Sequence, residues 1–368
     1  MKQFPIDCIH TSVSMAVTQK VLDDKFKGFT ITQAHYKRVG SHGIRADILA
    51  PKSVSPGKRP VIVRFHGGFL VCHSECPRRR SLFVRSFRER KTYIFQIFGD
   101  SLFRDWFPGW LIELAERQSA IIISANYRLL PESTGLEILS DFDDFWSWMH
   151  SPDLANILAS QPNSGLELDL SRILATGESA GGLPSIHLAL SHPDEIRAVL
   201  MAYPMVDLGS PFFASPKNES GGLVQGSGLT EYLQNIKPGD AVSMDVTPER
   251  MSLTTSVLLE GKLAELYMRG SENSPNRGLL LPIDRLSKEA KLPRGGVVIL
   301  HGADDDAVPL EGSEKFIEKA KEVMKDKQGG DKLVLAVQPG GHGFDVSASL
   351  DDQWLSQAFQ GAVETWLE

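Results

Sequence analysis

Three residue types at three points of the chain could together carry out acyl transfer. Ser179 stands in Gly177-Glu178-Ser179-Ala180-Gly181, directly after the apolar run "RILAT" and before a stretch with helical spacing. A serine between two glycines at a strand-to-helix junction can form a sharp turn that lifts its hydroxyl to the helix N-terminus, where the helix dipole favours developing negative charge. A serine hydroxyl is a poor nucleophile without a base to take its proton. His342, in "QPGGHGFD", is the best placed of the ten histidines, because it follows an apolar run and sits in a glycine-rich loop that can carry an imidazole over a sheet edge. The orienting acid must come from "HGADDDAVP", where an apolar run ends in Asp304, Asp305 and Asp306. Adjacent carboxylates repel, so at least two of the three belong to a solvated turn. The chain order is then nucleophile, acid, base.

The elements that must hold these residues are short runs rich in Ile and Val: "RPVIVRFHGG" at 59–68, "SAIIISANYR" at 119–128, "SRILATGESAGG" at 171–182, "IRAVLMAYP" at 196–204, "GGVVILHGADD" at 295–305 and "KLVLAVQPGG" at 332–341. Continuous apolar runs of this length read as strands buried on both faces. Between several of them lie helical patterns, such as "DFDDFWSWMH" at 141–150 and "SAGGLPSIHLALSH" at 179–192. Strand and helix alternate, which predicts an α/β protein with a mostly parallel central sheet and helices on both faces. The earlier "FTITQAHYKRV" and "GIRADILAPK" predict an antiparallel hairpin at one sheet edge. Residues 205–290 are too long for a plain loop and contain "TPERMSLTTSVLLEGKLAELYMRG", so an inserted cap is expected there.

Composition bounds the partners. The 368 residues carry a formal net charge of -7, which argues against nucleic acid or an anionic membrane surface and for a small, mostly uncharged substrate. Three cysteines cannot build a disulfide framework, and no run reaches the length of a signal-peptide core or a membrane span. A cytoplasmic protein is expected. Cys72-His73 with Cys76 has no second ligand pair of zinc spacing, so neither a metal nor another cofactor is expected.

Four patterns in order, "HGGF" at 66–69, "NYRLLPE" at 126–132, "GESAG" at 177–181 and "HGADDDAVP" with "GGHGFD", make the chain similar over nearly its whole length to the α/β-hydrolase superfamily, in its branch of carboxylesterases related to hormone-sensitive lipase. The resemblance implies the α/β-hydrolase fold and a Ser179–Asp305–His342 triad. Asp305 is the choice because the family's acid stands third after the strand-ending His-Gly and four residues before the Pro of a Val-Pro pair, here His301-Gly302 and Val308-Pro309. It also implies an oxyanion hole made by the amides of Gly67, Gly68 and Ala180. Two departures stand out. Phe69 replaces the usual third glycine and puts a ring beside the acyl pocket, as a substrate-contact residue. Glu178 replaces the commoner Asp below the elbow. Arg128 and Glu132 are expected to tie their loop to neighbouring segments. The expected activity is hydrolysis of small, mostly apolar carboxylic esters; receptor-like binding proteins, peptidases and thioesterases share the fold.

One stretch does not match its surroundings. Residues 71–96 carry seven Arg or Lys against two Glu. Without them, "HGGFL" joins "IFGDSLFRDWFPGWLIELAER", a strand-end loop running into an amphipathic helix. The piece is 26 residues, or 78 nucleotides, and Val71-Cys72 and Gln96 can be encoded as an intron start and end. The preferred reading is a non-native insertion from a retained intron, with a genuine basic interaction loop as the alternative.

Overall fold

The computed structural model describes residues 18–19, 24–71, 100–161, 165–217, 228–244 and 248–368. Nine strands make one sheet among them: β1 (Thr18–Gln19), β2 (Phe29–Val39), β3 (His42–Pro51), β4 (Gly57–Phe65), β5 (Ile121–Ala125), β6 (Leu166–Glu178), β7 (Ile196–Ala202), β8 (Val297–Gly302) and β9 (Leu333–Gln338), in the order β1-β2-β3-β5-β4-β6-β7-β8-β9. From β5 to β9 every neighbouring pair is parallel, and β1, β2 and β3 add an antiparallel flank. The predicted hairpin is β2–β3, turning at Gly40, whose φ of 57° suits a residue without a side chain. It is one strand in from the edge, because β1 pairs outside it.

Side-chain alternation splits the core into two layers. Val61, Val63 and Phe65 of β4 point to one face while Ile62 points to the other, and β8 repeats the pattern with Val297 and Ile299 against Val298 and Leu300. The first face is covered by the helices Gly135–Met149, Gly182–Ser191 and Leu310–Val323, and the second by Gly109–Gln118 and Gln353–Leu367. Each helix supplies an apolar stripe: Trp110, Leu111 and Leu114 in one, Leu355, Phe359 and Trp366 in another. The helix Gly135–Met149 opens with a capping box, in which Thr134 accepts from the Glu137 amide and the Glu137 carboxylate accepts from the Thr134 amide.

Between β7 and β8 the described residues form five helices, Pro211–Ala214, Leu229–Asn235, Pro248–Leu259, Leu263–Met268 and Pro282–Arg285, and a 3-10 turn at Arg277–Leu279. Residues 72–99, and with them nearly all of the suspected insertion as well as Cys72, His73 and Cys76, lie outside the described residues. Among the described residues no helix is long and apolar enough to cross a membrane.

Candidate active site

The residues singled out by type and spacing converge at the carboxyl ends of the strands. β6 stops at Glu178, Ser179 takes a left-handed φ of 54°, and the helix Gly182–Ser191 begins after a single 3-10 turn. The glycines around Ser179 are a packing requirement. A Cβ on Gly177 would stand 2.1 Å from the Gly181 carbonyl oxygen, and one on Gly181 would stand 2.1 Å from the carbonyl oxygen of Phe65 at the end of β4. No methyl group fits at such distances, so the chain can turn this sharply only with glycine at both places. Ser179 is buried, and its Oγ has no hydrogen-bond partner among the described residues.

His342 lies in the loop after β9, and its Nδ1 is 2.8 Å from Asp305 Oδ2. Because the carboxylate only accepts, Nδ1 carries the proton in this bond, and the neutral ring presents Nε2 as a base. Asp305 is the one acid of its run held in this way: its Oδ1 accepts from the amides of Ala307 and Val308 at 3.0 and 2.9 Å, and its side chain is fully buried, whereas Asp304 and Asp306 are exposed. His301 closes the same loop from beneath. Its Nε2 donates to the Val308 carbonyl at 2.9 Å and its Nδ1 accepts from Ser313 at 2.8 Å. The two glycine-bearing motifs touch, since a Cβ on Gly302 would meet the Gly340 carbonyl oxygen at 2.4 Å.

The loop after β4 reaches the elbow from the other side. A Cβ on Gly67 would stand 3.2 Å from Ser179 Cβ. His66 holds its ring over this loop and donates from Nδ1 to the Gly67 carbonyl at 2.6 Å; burial, first, keeps its pKa down to about 3, so the ring is neutral at any working pH. The carbonyl and the following N–H of a trans peptide point in opposite directions. Fixing the Gly67 carbonyl against His66 therefore turns the Gly68 N–H away from that ring. The same logic holds at the elbow, where the Ser179 carbonyl accepts from Met205 N–H at 2.9 Å and the Ala180 N–H must face away from Met205. Gly68, Phe69 and Leu70 follow with φ of 116°, 52° and 62°. Phe69 is buried, and its ring lies nearly parallel to that of His342 with centroids 6.4 Å apart.

Below the elbow, Glu178 receives both Nε and Nη2 of the buried Arg64 at 3.0 and 2.9 Å, and burial raises its carboxyl while Arg64 opposes the rise. In "NYRLLPE", Arg128 binds Asp141 and the main chain of Glu137, and Glu132 binds Arg250.

Several residues that type and spacing did not single out complete the arrangement. Tyr203, just past β7, is fully buried at a left-handed φ of 38° and rests its ring 4.3 Å from that of His342. Asp345, three residues beyond His342, is buried, accepts from Trp110 Nε1 at 2.8 Å and is pushed up by that burial. Trp106 lies 5.9 Å from the imidazole, and it is why position 343 needs glycine: a Cβ there would be 2.7 Å from the indole. Asp345 was in plain view in "HGFD", yet nothing in the sequence says that this aspartate turns inward.

Comparison with known proteins agrees with this fold. Residues 104–261 match the family model described as the alpha/beta hydrolase fold. The chain is 28% identical over 352 residues to the "Probable carboxylesterase M8" of a Phoma species, covering 90% of this chain and 95% of that one. It is 30% identical over 219 residues to the "Probable carboxylesterase clz11" of Cochliobolus lunatus, covering 55% of this chain and 92% of that one. Among solved structures it is similar in fold to the esterase LipW from Mycobacterium marinum, with a TM-score of 0.53 at 18% identity over 93% of this chain and 83% of that one.

Proposed function

The chain belongs to the α/β-hydrolase superfamily, in its branch of carboxylesterases related to hormone-sensitive lipase, and we propose that it is a serine esterase that cleaves small, mostly apolar carboxylic esters through an acyl-enzyme intermediate. The observation that carries this reading is the buried His342–Asp305 bond, made in the strand-end layer where Ser179 stands on its glycine-framed turn.

His342 Nε2 takes the proton of Ser179 as Oγ attacks the ester carbonyl. Asp305 keeps the imidazole in the required tautomer and stabilises the imidazolium without accepting its proton. The carbonyl oxygen becomes an oxyanion held by the amides of Gly67, Gly68 and Ala180, each donor worth about 3 kcal/mol in comparable sites. His342 then returns the proton to the leaving alcohol. Water attacks the acyl-enzyme by the same route and releases the acid. Among the described residues Ser179 Oγ has no hydrogen-bond partner, which is compatible with this reading because catalytic hydrogen bonds often tighten only when substrate is bound.

A cavity of about 280 Å³ between the ends of β7 and β8 is lined by Met205, Val206, Phe212 and Phe213 together with Asp207 and Glu311, and neither Ser179 nor His342 lines it. We read residues 205–290 as the cap that selects the ester, since their described helices are inserted between β7 and β8 and Arg250 among them reaches the Val71 carbonyl at the end of the His66–Val71 loop. Hydrolysis of a short-chain p-nitrophenyl ester is the test, with Ser179→Ala as its control. A chain that binds such esters without turning them over is a receptor-like protein, and the proposal fails.

A further inference from the structure

The loop from His66 to Val71 is bent by three successive left-handed residues, and two of them, Phe69 and Leu70, have side chains that disfavour that conformation. Two bonds within the loop hold part of this shape, His66 Nδ1 to the Gly67 carbonyl at 2.6 Å and the Val71 amide to the Gly68 carbonyl at 3.0 Å. Further restraints come from two distant parts of the chain. Tyr127, just beyond β5, lies flat on the His66 ring at 4.7 Å and 7° and donates its hydroxyl to the His66 carbonyl at 2.8 Å. Leu130, three residues on, donates its amide to the Leu70 carbonyl at 2.7 Å. Arg250, in the helix Pro248–Leu259, donates Nε to the Val71 carbonyl and Nη2 to the Leu130 carbonyl, both at 2.6 Å. Its guanidinium is neutralised by Glu132, which accepts from Nη1 and Nη2 at 2.6 Å, and both side chains are buried. Only a planar fork makes all of these bonds at once, and a lysine in its place could not.

We propose that Tyr127 and Arg250 are positioning residues of the oxyanion site, Tyr127 by setting the plane of the His66–Gly67 peptide and Arg250 by fastening the region 205–290 to the far end of the same loop at Val71. The inference rests on the reading of Gly67 and Gly68 as oxyanion donors. With the His66 carbonyl on the Tyr127 hydroxyl, the Gly67 N–H faces away from Tyr127, while Gly67 itself is packed against Ser179. Arg250 holds the exit of the left-handed run, so Gly68 cannot relax toward an ordinary turn. The inserted region is then built into the oxyanion geometry and is more than a cover over it.

The test uses the full chain with Tyr127→Phe, Arg250→Lys and, because removing the fork alone leaves Glu132 buried without a counter-ion, the double variant Arg250→Met with Glu132→Gln. Active sites are counted with an organophosphorus reagent that phosphonylates Ser179, so unfolded chains drop out of the rates. For Tyr127→Phe, kcat per counted site should fall about tenfold to thirtyfold, below the loss expected for deleting a donor outright, with KM nearly unchanged. The Ki of an alkylboronic acid, whose tetrahedral serine adduct places an oxygen in the hole, should rise by the same factor. The double variant should follow the same line with a larger change. A purely structural role lowers melting temperature and the number of counted sites and leaves kcat per site and Ki alone. Labelled variants with wild-type kcat and Ki overturn the inference by itself. Failure of the wild-type chain to take up the phosphonate overturns the serine-esterase reading, and this inference with it.

Discussion

The elbow at Gly177–Gly182 and the loop at His66–Val71 meet at the same point and solve the same problem by opposite means. Both need backbone in the left-handed region or in close contact with other backbone. At the elbow the solution lies in residue type: Ser179 alone bears a side chain at positive φ, and Gly177 and Gly181 lack the Cβ that would stand 2.1 Å from a carbonyl oxygen. In the loop the solution is tertiary: Phe69 and Leu70 keep their side chains, bury them, and depend on Tyr127, Leu130 and Arg250 to hold the bend. Geometry that glycine permits survives in a short peptide pattern. Geometry that distant bonds impose can be lost by substitutions elsewhere in the chain.

The largest expected effects test the shared centre. Ser179→Ala and His342→Ala should each lower kcat by about 10⁵-fold to 10⁶-fold, because the triad acts as a unit, with melting temperature nearly unchanged. Asp305→Asn should cost about 10⁴-fold by presenting the wrong imidazole tautomer, while Asp304→Asn and Asp306→Asn stay within about twofold. Steady-state rates on one nitrophenyl ester rank all five, and an Asp304 or Asp306 variant as impaired as Asp305→Asn would reassign the acid.

The next pair separates the two designs. Gly181→Ala forces a methyl group onto the Phe65 carbonyl and should destabilise by about 3 kcal/mol, with activity lost in parallel. Phe69→Gly removes a buried ring but relieves a left-handed side chain. Its cost should therefore fall about 1 kcal/mol short of the roughly 3 to 5 kcal/mol of an ordinary buried Phe truncation. Urea denaturation of the two variants measures both numbers, and equal losses would remove the distinction between local and imposed geometry.

The smallest effect concerns the charge behind the imidazole. Burial raises the Asp345 carboxyl in the folded chain, opposed by its bond to Trp110 Nε1. The folded state thus holds this proton more tightly than the unfolded one. The contribution of the group is full below the ordinary carboxylate pKa and is lost as pH rises through the raised value. Asp345→Asn keeps an acceptor for Trp110 and removes the titration. Its melting temperature relative to wild type should improve by a few degrees between about pH 4 and pH 7. A difference that is flat or falls with pH contradicts the assigned direction.

Much of this was legible from residue types alone. Short Ile- and Val-rich runs announced parallel strands because both faces of such a sheet are buried, and the strand-to-helix glycines announced the elbow because no other residue fits. Residue type alone did not separate Asp305 from Asp304 and Asp306; the spacing that the family resemblance implies did, and the physical reason for that choice, two amides and an imidazole meeting one carboxylate, is visible only in the fold. Arg250 and Tyr127 were equally out of reach: an arginine in a helix and a tyrosine after a strand have no pattern that says which carbonyl they will hold.

The presence of buried strands alternating with helices, the turn under Ser179 and the sequence of nucleophile, acid and base follow from local rules, in which hydrophobic period and glycine's missing side chain act over a few residues. The left-handed path of Gly68–Leu70, the bonds that hold Asp305 and the inward turn of Asp345 and Tyr203 were decided only in the folded chain. Each depends on partners 37 to 235 residues away, such as His342 for Asp305, Arg250 for Val71 and Trp110 for Asp345, and bonds across such separations exist only after the sheet has brought the strand ends together.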